Sequence, residues 1–342
     1  MSLLRLAPLV LFAAIAGGLA WKTLPARTPP ITGADPIAEL IPAQIGGMTQ
    51  WLLIRGADRR APILLWLHGG PGAAQMPIHR VTSELERDFV VVHWDQPGAG
   101  KSNPPDFDPA TMTLERFLSD AREVTALLRK RLGDQPIILL GHSWGTMLGA
   151  RLAARWPEDY AAYIGVGQQV STKRGVALAL DWLGRVAPDS ELAGMKPEAF
   201  RDHALYVRLM QAVEAEGGGM NVSLTSMLPR ALAAPEYRLP AYLHWLKGAN
   251  RGSGPMWDEY QARDLMAEVP RMPLPMLLIT GETDMNTPVA LVRDWLEHVE
   301  APQGKRLEIF DASGHAPFLT ETARFVETVR SFGAEVAEER RE

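Results

Sequence analysis

Ile137-Ile138-Leu139-Leu140-Gly141-His142-Ser143-Trp144-Gly145-Thr146-Met147-Leu148 is the stretch whose reading decides the fold. Its four leading apolar residues, bounded by Pro136 and Gly141, have the pattern of a short strand buried on both faces. An apolar, alanine-rich run from Met147 to Ala154 follows and predicts a helix. Between them lies Gly141-x-Ser143-x-Gly145, a weak pattern alone that gains meaning from the strand before it and the helix after it. In that context the serine stands on a strained turn with its hydroxyl projecting beyond the sheet, as a nucleophile does. Glycines two before and two after it let strand and helix pass without a side-chain clash.

The same strand pattern recurs on both sides. Residues 45–56 alternate as a first strand or strands would. Ile63–Leu67 is a buried strand followed by His68-Gly69-Gly70-Pro71-Gly72, and Phe89–Trp94 is another, ending in Asp95-Gln96-Pro97-Gly98-Ala99-Gly100-Lys101-Ser102. Helical spacing runs from Leu114 to Leu132, strand patterns return at 160–166, 275–280 and 306–310, and Gly217-Gly218-Gly219 breaks a helical stretch. Continuous apolar strands alternating with helices predict an α/β fold, a mostly parallel central sheet flanked by helices. Residues 171–268 carry helical patterns without a convincing strand and are expected to be a helical cap inserted over the carboxyl ends of the strands. The core is then expected at 45–170 and 269–334, with 25–44 a linker and 335–342 a solvated charged tail.

The N-terminal segment, 1–24, is expected to lie outside the fold. Arg5 precedes an apolar run from Leu6 to Trp21, closed by Lys22 and followed by Pro25, Pro29 and Pro30. As a helix this run spans roughly 24 Å, short of the roughly 30 Å hydrocarbon core of a membrane. Gly18-Leu19-Ala20 supplies small residues of the kind a signal peptidase prefers. A secretory signal is the first expectation and a membrane anchor through 6–21 the second, so the protein is expected to be exported or anchored.

Composition narrows the remaining classes. The chain has 342 residues, 46% hydrophobic, with a net charge of -5, enough for one large core and a subdomain. Mild acidity without a basic patch argues against nucleic acid as a partner. With no cysteine, a disulfide framework, a thiolate metal site and a cysteine nucleophile are excluded. Gly100-Lys101-Ser102 resembles the end of a phosphate-binding loop, but the motif needs glycine at 95, which is Asp95. No metal motif is present and no cofactor is expected.

A serine hydroxyl attacks well only when a base takes its proton and a third group orients that base. Asp284 follows the strand ending at Thr280, His315 follows the last predicted strand, and Ser143, Asp284 and His315 occur in the chain order of one known triad arrangement. Asp284 could instead cap the helix begun by Thr287-Pro288, and Glu282 is a rival acid expected to face solvent. His68 and His93 read as structural, and His142 as packing. An oxyanion needs two N–H donors. Trp144, next after the serine, supplies one, and Gly70, in a glycine-rich loop stiffened by Pro71, is the choice for the other.

Taken together, His68-Gly69-Gly70-Pro71-Gly72, Asp95-Gln96-x-Gly98-x-Gly100-x-Ser102, Gly141-His142-Ser143-Trp144-Gly145, Gly281-x-x-Asp284 and Gly314-His315 resemble the proline iminopeptidase branch of the α/β-hydrolases, serine peptidase family S33. The resemblance spans about residues 45–330. It implies an α/β-hydrolase fold with a helical cap, no cofactor, Ser143, Asp284 and His315 as nucleophile, acid and base, and release of N-terminal residues, often proline, from short peptides. The chain departs from the family in having Pro97 for arginine, Thr146 for a second glycine, and Glu282-Thr283 where Arg-Tyr is common. Aminopeptidase members hold the substrate's amine with cap carboxylates; the cap offers Glu191, Glu198, Glu214, Glu216 and Glu236, and no motif selects among them. Trp182, Trp245 and Trp257 read as core or as pocket lining. The expectation is a serine hydrolase acting through an acyl-enzyme on a small-molecule or short-peptide substrate, an aminopeptidase first, with an esterase, lactonase or carbon–carbon bond hydrolase as the alternative and a non-catalytic binding protein as the third. The sequence does not select an oligomeric state.

Overall fold

A computed structural model describes residue 17 and residues 26–222 and 224–340. The segment read as signal or anchor, 1–24, lies outside the described residues apart from Gly17. Among the described residues no helix is long and apolar enough to cross a membrane.

Eight strands form one sheet in the order β1-β2-β4-β3-β5-β6-β7-β8. They are β1 (Ile37–Ile45), β2 (Met48–Gly56), β3 (Ile63–Leu67), β4 (Val90–Asp95), β5 (Ile137–His142), β6 (Ala162–Val166), β7 (Met276–Gly281) and β8 (Lys305–Phe310). β1 pairs antiparallel with β2, and β2 with β4; every later pairing is parallel. The helices are α1 (Leu114–Leu132), α2 (Trp144–Arg155), α3 (Thr172–Val186), α4 (His203–Ala215), α5 (Leu224–Leu232), α6 (Leu239–Arg251), α7 (Trp257–Ala262), α8 (Leu265–Glu268), α9 (Val289–His298), α10 (Pro317–Thr320) and α11 (Thr322–Glu339).

Alternation along the central strands explains their unbroken hydrophobicity. Ile63, Leu65 and Leu67 of β3 face one apolar layer, together with Phe117, Leu118 and Leu148 of α1 and α2. Leu64 and Trp66 face the other, against Phe325, Val329 and Phe332 of α11. A strand covered on both faces needs apolar side chains at every position.

Two expected boundaries are corrected. β1 begins at Ile37, inside the segment read as a linker over 25–44. It is an edge strand whose central residues are only partly covered, so Glu39, Pro42 and Gln44 interrupt the alternation that marks an inner strand. At the other end α11 runs to Glu339, past the expected core limit of 334 and into the segment read as a solvated tail. Val329, Phe332 and Val336 continue its buried stripe, and Glu335 pairs with Arg306.

Between β6 and β7 lie α3 to α8. They divide by how they are held. α3 and α4 share an apolar cluster of their own, including Val176, Leu180, Leu183, Leu209 and Val213. α6 rests on the core through Ala241 and Tyr242, which pack with Leu53 and Met76, and meets α5 where the Tyr242 hydroxyl donates to the Ala231 carbonyl at 2.5 Å. Polar contacts complete that seam: Tyr237 donates its hydroxyl to Asp95, Asn103 Nδ2 donates to the His244 carbonyl at 2.8 Å, and Arg251 donates to the Gly98 carbonyl at 3.3 Å. Burial pushes Asp95 up to about 6, against the Tyr237 hydroxyl and the Lys101 amide that hydrogen-bond its carboxylate.

Candidate active site

β5 ends at His142 and α2 starts at Trp144, leaving Ser143 as the single residue of the turn. Its φ of 54° and ψ of -117° are strained for a residue with a side chain, a departure of the kind that collects at functional sites. The turn is held by Ser143 N–H donating to the Val166 carbonyl at 2.9 Å and by Thr146 N–H donating to the Ser143 carbonyl at 2.9 Å. Thr146, where the resembled family has glycine, adds its hydroxyl to the same carbonyl at 2.5 Å and accepts from the Gln169 amide at 2.9 Å. Gly145 is required by closeness: a Cβ there would lie 1.9 Å from the Leu67 carbonyl oxygen.

The acid and base candidates meet beside this turn. His315 Nδ1 lies 2.9 Å from Asp284 Oδ2. Asp284 is fully buried, accepts the Asn286 and Thr287 amides on Oδ1 at 2.9 Å each, and accepts the Thr287 hydroxyl on Oδ2 at 2.6 Å. The carboxylate therefore caps the following turn and also holds the imidazole. With Nδ1 committed to Asp284, Nε2 is the nitrogen left for the cavity. Glu282 is exposed, as expected for the rival acid.

Ser143, His315, Gly69 and Gly70 line one cavity of about 560 Å³, with Ser143 and His315 on its floor. Its roof is one stripe of α4, where His203, Tyr206, Met210 and Glu214 recur at helical spacing. Trp245 lines it too, its indole donating to the Ala74 carbonyl at 3.2 Å. Trp257 is instead buried against Tyr206, with ring centroids 4.4 Å apart, and Trp182 packs against the α3–α4 cluster. Of the cap glutamates, Glu214 alone lines the cavity among the described residues. Glu191 pairs with Arg208 at the surface, and Glu236 is buried beside His79.

Among the backbone amides near Ser143 without an acceptor among the described residues are those of Gly70 and Trp144. The Trp144 amide is free because it opens α2, where the first N–H groups have no carbonyl four residues back. The loop carrying Gly70 is fixed from behind by Gln96. Gln96 N–H donates to His68 Nε2 at 3.1 Å, its Nε2 donates to the His68 carbonyl at 3.1 Å, and its Oε1 accepts from Trp144 Nε1 at 3.0 Å. One buried side chain thus joins the glycine-rich loop to the serine turn. Its signal in the sequence was only the motif around Asp95, without a role.

Burial pushes His68 down to about 4 and leaves it neutral, donating Nδ1–H to the Gly69 carbonyl at 2.8 Å. His142 is pushed down to about 3, chiefly by burial and then by the His315 charge, and lies 3.0 Å from the His315 carbonyl through Nε2. His93 is likewise buried and pushed below its ordinary value, chiefly by burial, while His142 lines the cavity beside Ser143. The Gly217-Gly218-Gly219 break is where the cap meets the acid and base loops. The Gly218 carbonyl accepts from Met285 N–H at 2.7 Å, and that of Gly219 from His315 N–H at 2.9 Å. Among the described residues no three His, Cys, Asp or Glu side chains are grouped to hold a metal.

Residues 62–322 match a family model described as alpha/beta hydrolase fold. A probable aminopeptidase, YbaC, of Bacillus subtilis (strain 168) is 28% identical over 306 residues, covering 86% of this chain and 95% of that protein. A proline iminopeptidase of Lactobacillus delbrueckii subsp. lactis is 27% identical over 288 residues, covering 80% and 90%. Among solved structures, that of a Mycobacterium smegmatis proline iminopeptidase superimposes with a TM-score of 0.66 at 23% identity, covering 87% of this chain and 98% of the other. That likeness carries the fold.

Proposed function

The chain belongs to the α/β-hydrolase family, with proline iminopeptidase-like relatives, and from that premise we propose that it is a serine hydrolase working through an acyl-enzyme, an aminopeptidase for short peptides. The observation that carries the reading is the buried Asp284–His315 pair opening into the same cavity as Ser143. His315 Nε2 takes the hydroxyl proton as Ser143 Oγ attacks the scissile carbonyl. Asp284 holds the ring and stabilises the imidazolium that forms. The amides of Gly70 and Trp144 receive the developing oxyanion. His315 then gives the proton to the leaving amine, and water, deprotonated by the same histidine, releases the acyl group.

Glu214 supports the peptidase reading. It is the cap carboxylate at the cavity, on the last turn of α4, and a free N-terminal ammonium entering from the roof would meet it. One observation favours an ester or lactone instead: Glu214 Oε2 already accepts the Met220 amide at 2.6 Å, and Met210, Met220, Met227 and Phe318 make the walls strongly apolar. Pro-, Ala- and Leu-arylamides set against simple aryl esters separate the two. Arylamide turnover that falls at least about a thousandfold in Ser143→Ala is the expected result. Ester turnover alone, equally lost in the variant, would keep the nucleophile and discard the peptidase. Turnover of either kind undiminished in Ser143→Ala would remove the serine mechanism.

A further inference from the structure

α6 presents an exposed apolar stripe. Leu239, Leu243 and Leu246 recur at i, i+4 and i+7, so they share one face, and they are 40%, 59% and 44% exposed. Leu228 and Leu232 of the neighbouring α5 are similarly exposed. The other side of α6 is occupied, with Ala241 and Tyr242 on the core and Trp245 and Ala249 at the cavity. Charge on this part of the molecule is one-sided. From Gly217 to Arg251 the only carboxylate is Glu236, and it is fully buried, whereas Arg230 and Lys247 are exposed.

The N-terminal end of the continuously described chain reaches the same place. Arg27 N–H donates to the carbonyl of Pro235, in the connection between α5 and α6, at 3.2 Å. Upstream of Arg27 the sequence carries the apolar run Leu6–Trp21, flanked by Arg5 and Lys22, and no acidic residue occurs before Asp35.

From this juxtaposition we propose that the leucine stripe of α6, with Leu228 and Leu232 beside it, is a membrane-docking face that takes an anionic lipid surface. Leucines on one face, cations at its margin and no exposed carboxylate on α5, α6 or their connection form the pattern of a helix lying in the lipid headgroup boundary. A second copy of the chain fits less well, because a two-fold contact through this stripe would bring Arg230 and Lys247 toward the same cations of its mate. Arg27, held on the Pro235 carbonyl beside the face, adds a further cation at its edge. Docking there sets the cavity's α6 wall next to the lipid.

The absence of cysteine makes a direct test simple. Leu243→Cys in the full chain is labelled with an environment-sensitive nitrobenzoxadiazole dye, and Gln303→Cys, on the loop before β8 at the opposite end of the sheet, is the control. With vesicles of phosphatidylcholine and phosphatidylglycerol, the dye at 243 is expected to shift to the blue and to be quenched by lipid-borne nitroxides. The dye at 303 should stay unchanged, and vesicles of phosphatidylcholine alone should give a several-fold smaller shift at 243. A solvent-like spectrum at 243 on protein that nonetheless sediments with the vesicles would overturn the proposal, since another segment would then be the attachment. A blue shift before vesicles are added would equally overturn it, by placing protein on the stripe. Equal insertion into neutral and anionic vesicles would overturn the anionic assignment.

Discussion

The floor of the cavity stands on strands that are buried at every residue, β3, β4, β5 and β7, whereas its roof is a set of helices of which, among the described residues, only the α3–α4 pair has an apolar cluster of its own. On the floor, position is set by backbone packed against backbone. Ser143 cannot move without displacing Val166, Leu67 and the start of α2. On the roof, α6 is held by the side chains of Ala241, Tyr242 and Trp245 and by hydrogen bonds to the loop around Gly98 and Asn103. Chemistry that needs reacting atoms held to fractions of an ångström belongs on the first kind of support, and recognition of varied substrates is served by the second.

The contrast breaks most visibly at glycines. In Gly145→Ala the added methyl would lie 1.9 Å from one backbone oxygen and 2.6 Å from its carbon, neither of which can rotate away. Denaturant unfolding is expected to show a loss of about 3 kcal/mol, with turnover nearly abolished. Gly194→Ala, in the cap where nothing lies within 4 Å of the added carbon, is expected to stay within about 0.5 kcal/mol of the parent. Equal effects at the two sites would mean that floor and roof are not held differently.

Gln96→Leu tests whether the floor is a single unit. The change keeps the volume but orphans two buried groups, Trp144 Nε1 and the His68 carbonyl, which now meet the Gln96 side chain. The loop of Gly70 and the turn of Ser143 would lose their shared anchor. A fall in kcat of about a hundredfold, equivalent to about 2.7 kcal/mol, with little change in KM, is the expected outcome of steady-state kinetics. A rise in KM at constant kcat would instead assign Gln96 to substrate binding.

What the sequence made legible follows the same division. The serine turn and the two glycine-rich loops are written in contiguous residues, because close backbone approach demands glycine and buried strands demand unbroken apolar runs. The edge strand β1 was hidden by its partial exposure, and the last turns of α11 by Glu335, Glu338 and Glu339 on the outer face of a helix whose Val336 stays buried. Glu214 could not be chosen among the cap glutamates, since its place depends on how α4 lies over a cavity built from distant strands. Gln96 carried a motif but no role, because its partners sit 28 and 48 residues away.

Glu214→Gln measures the roof alone. Where the substrate's ammonium meets this carboxylate, removing the charge is expected to raise KM for unblocked arylamides about tenfold, or about 1.4 kcal/mol. N-acylated substrates and esters should be unaffected. An equal change for blocked and unblocked substrates would detach Glu214 from amine recognition.

The smallest effect is expected at the seam between the two regions, and it is a pH dependence of stability. His79 is buried between Glu86 of the core at 3.5 Å and Glu236 of the cap at 3.4 Å, with Arg55 on Glu86 at 2.9 Å and the His93 ring near the His79 ring. Arg55 also donates to the Thr28 hydroxyl and the Pro29 carbonyl, so the N-terminal segment joins the cluster. Burial alone would lower His79, but the two carboxylates outweigh it and hold the imidazole above its ordinary value, while Glu86 and Glu236 are held below theirs. Between about 6.5, the unfolded value for histidine, and the raised folded value, the native state binds the extra proton. The stabilisation is therefore complete below about pH 6.5 on the histidine side and is lost as pH climbs through the folded value. On the carboxylate side it is present above the unfolded glutamate value of about 4.3 and is lost as pH falls through the lowered folded values. Chemical denaturation from pH 6 upward should show stability declining by at most about 1.4 kcal/mol per pH unit, the limit for one proton. In His79→Gln that slope should flatten, and Glu236 would be left as a buried carboxylate without its cation. A slope that survives the substitution would place the titrating group elsewhere and leave the seam held by packing alone.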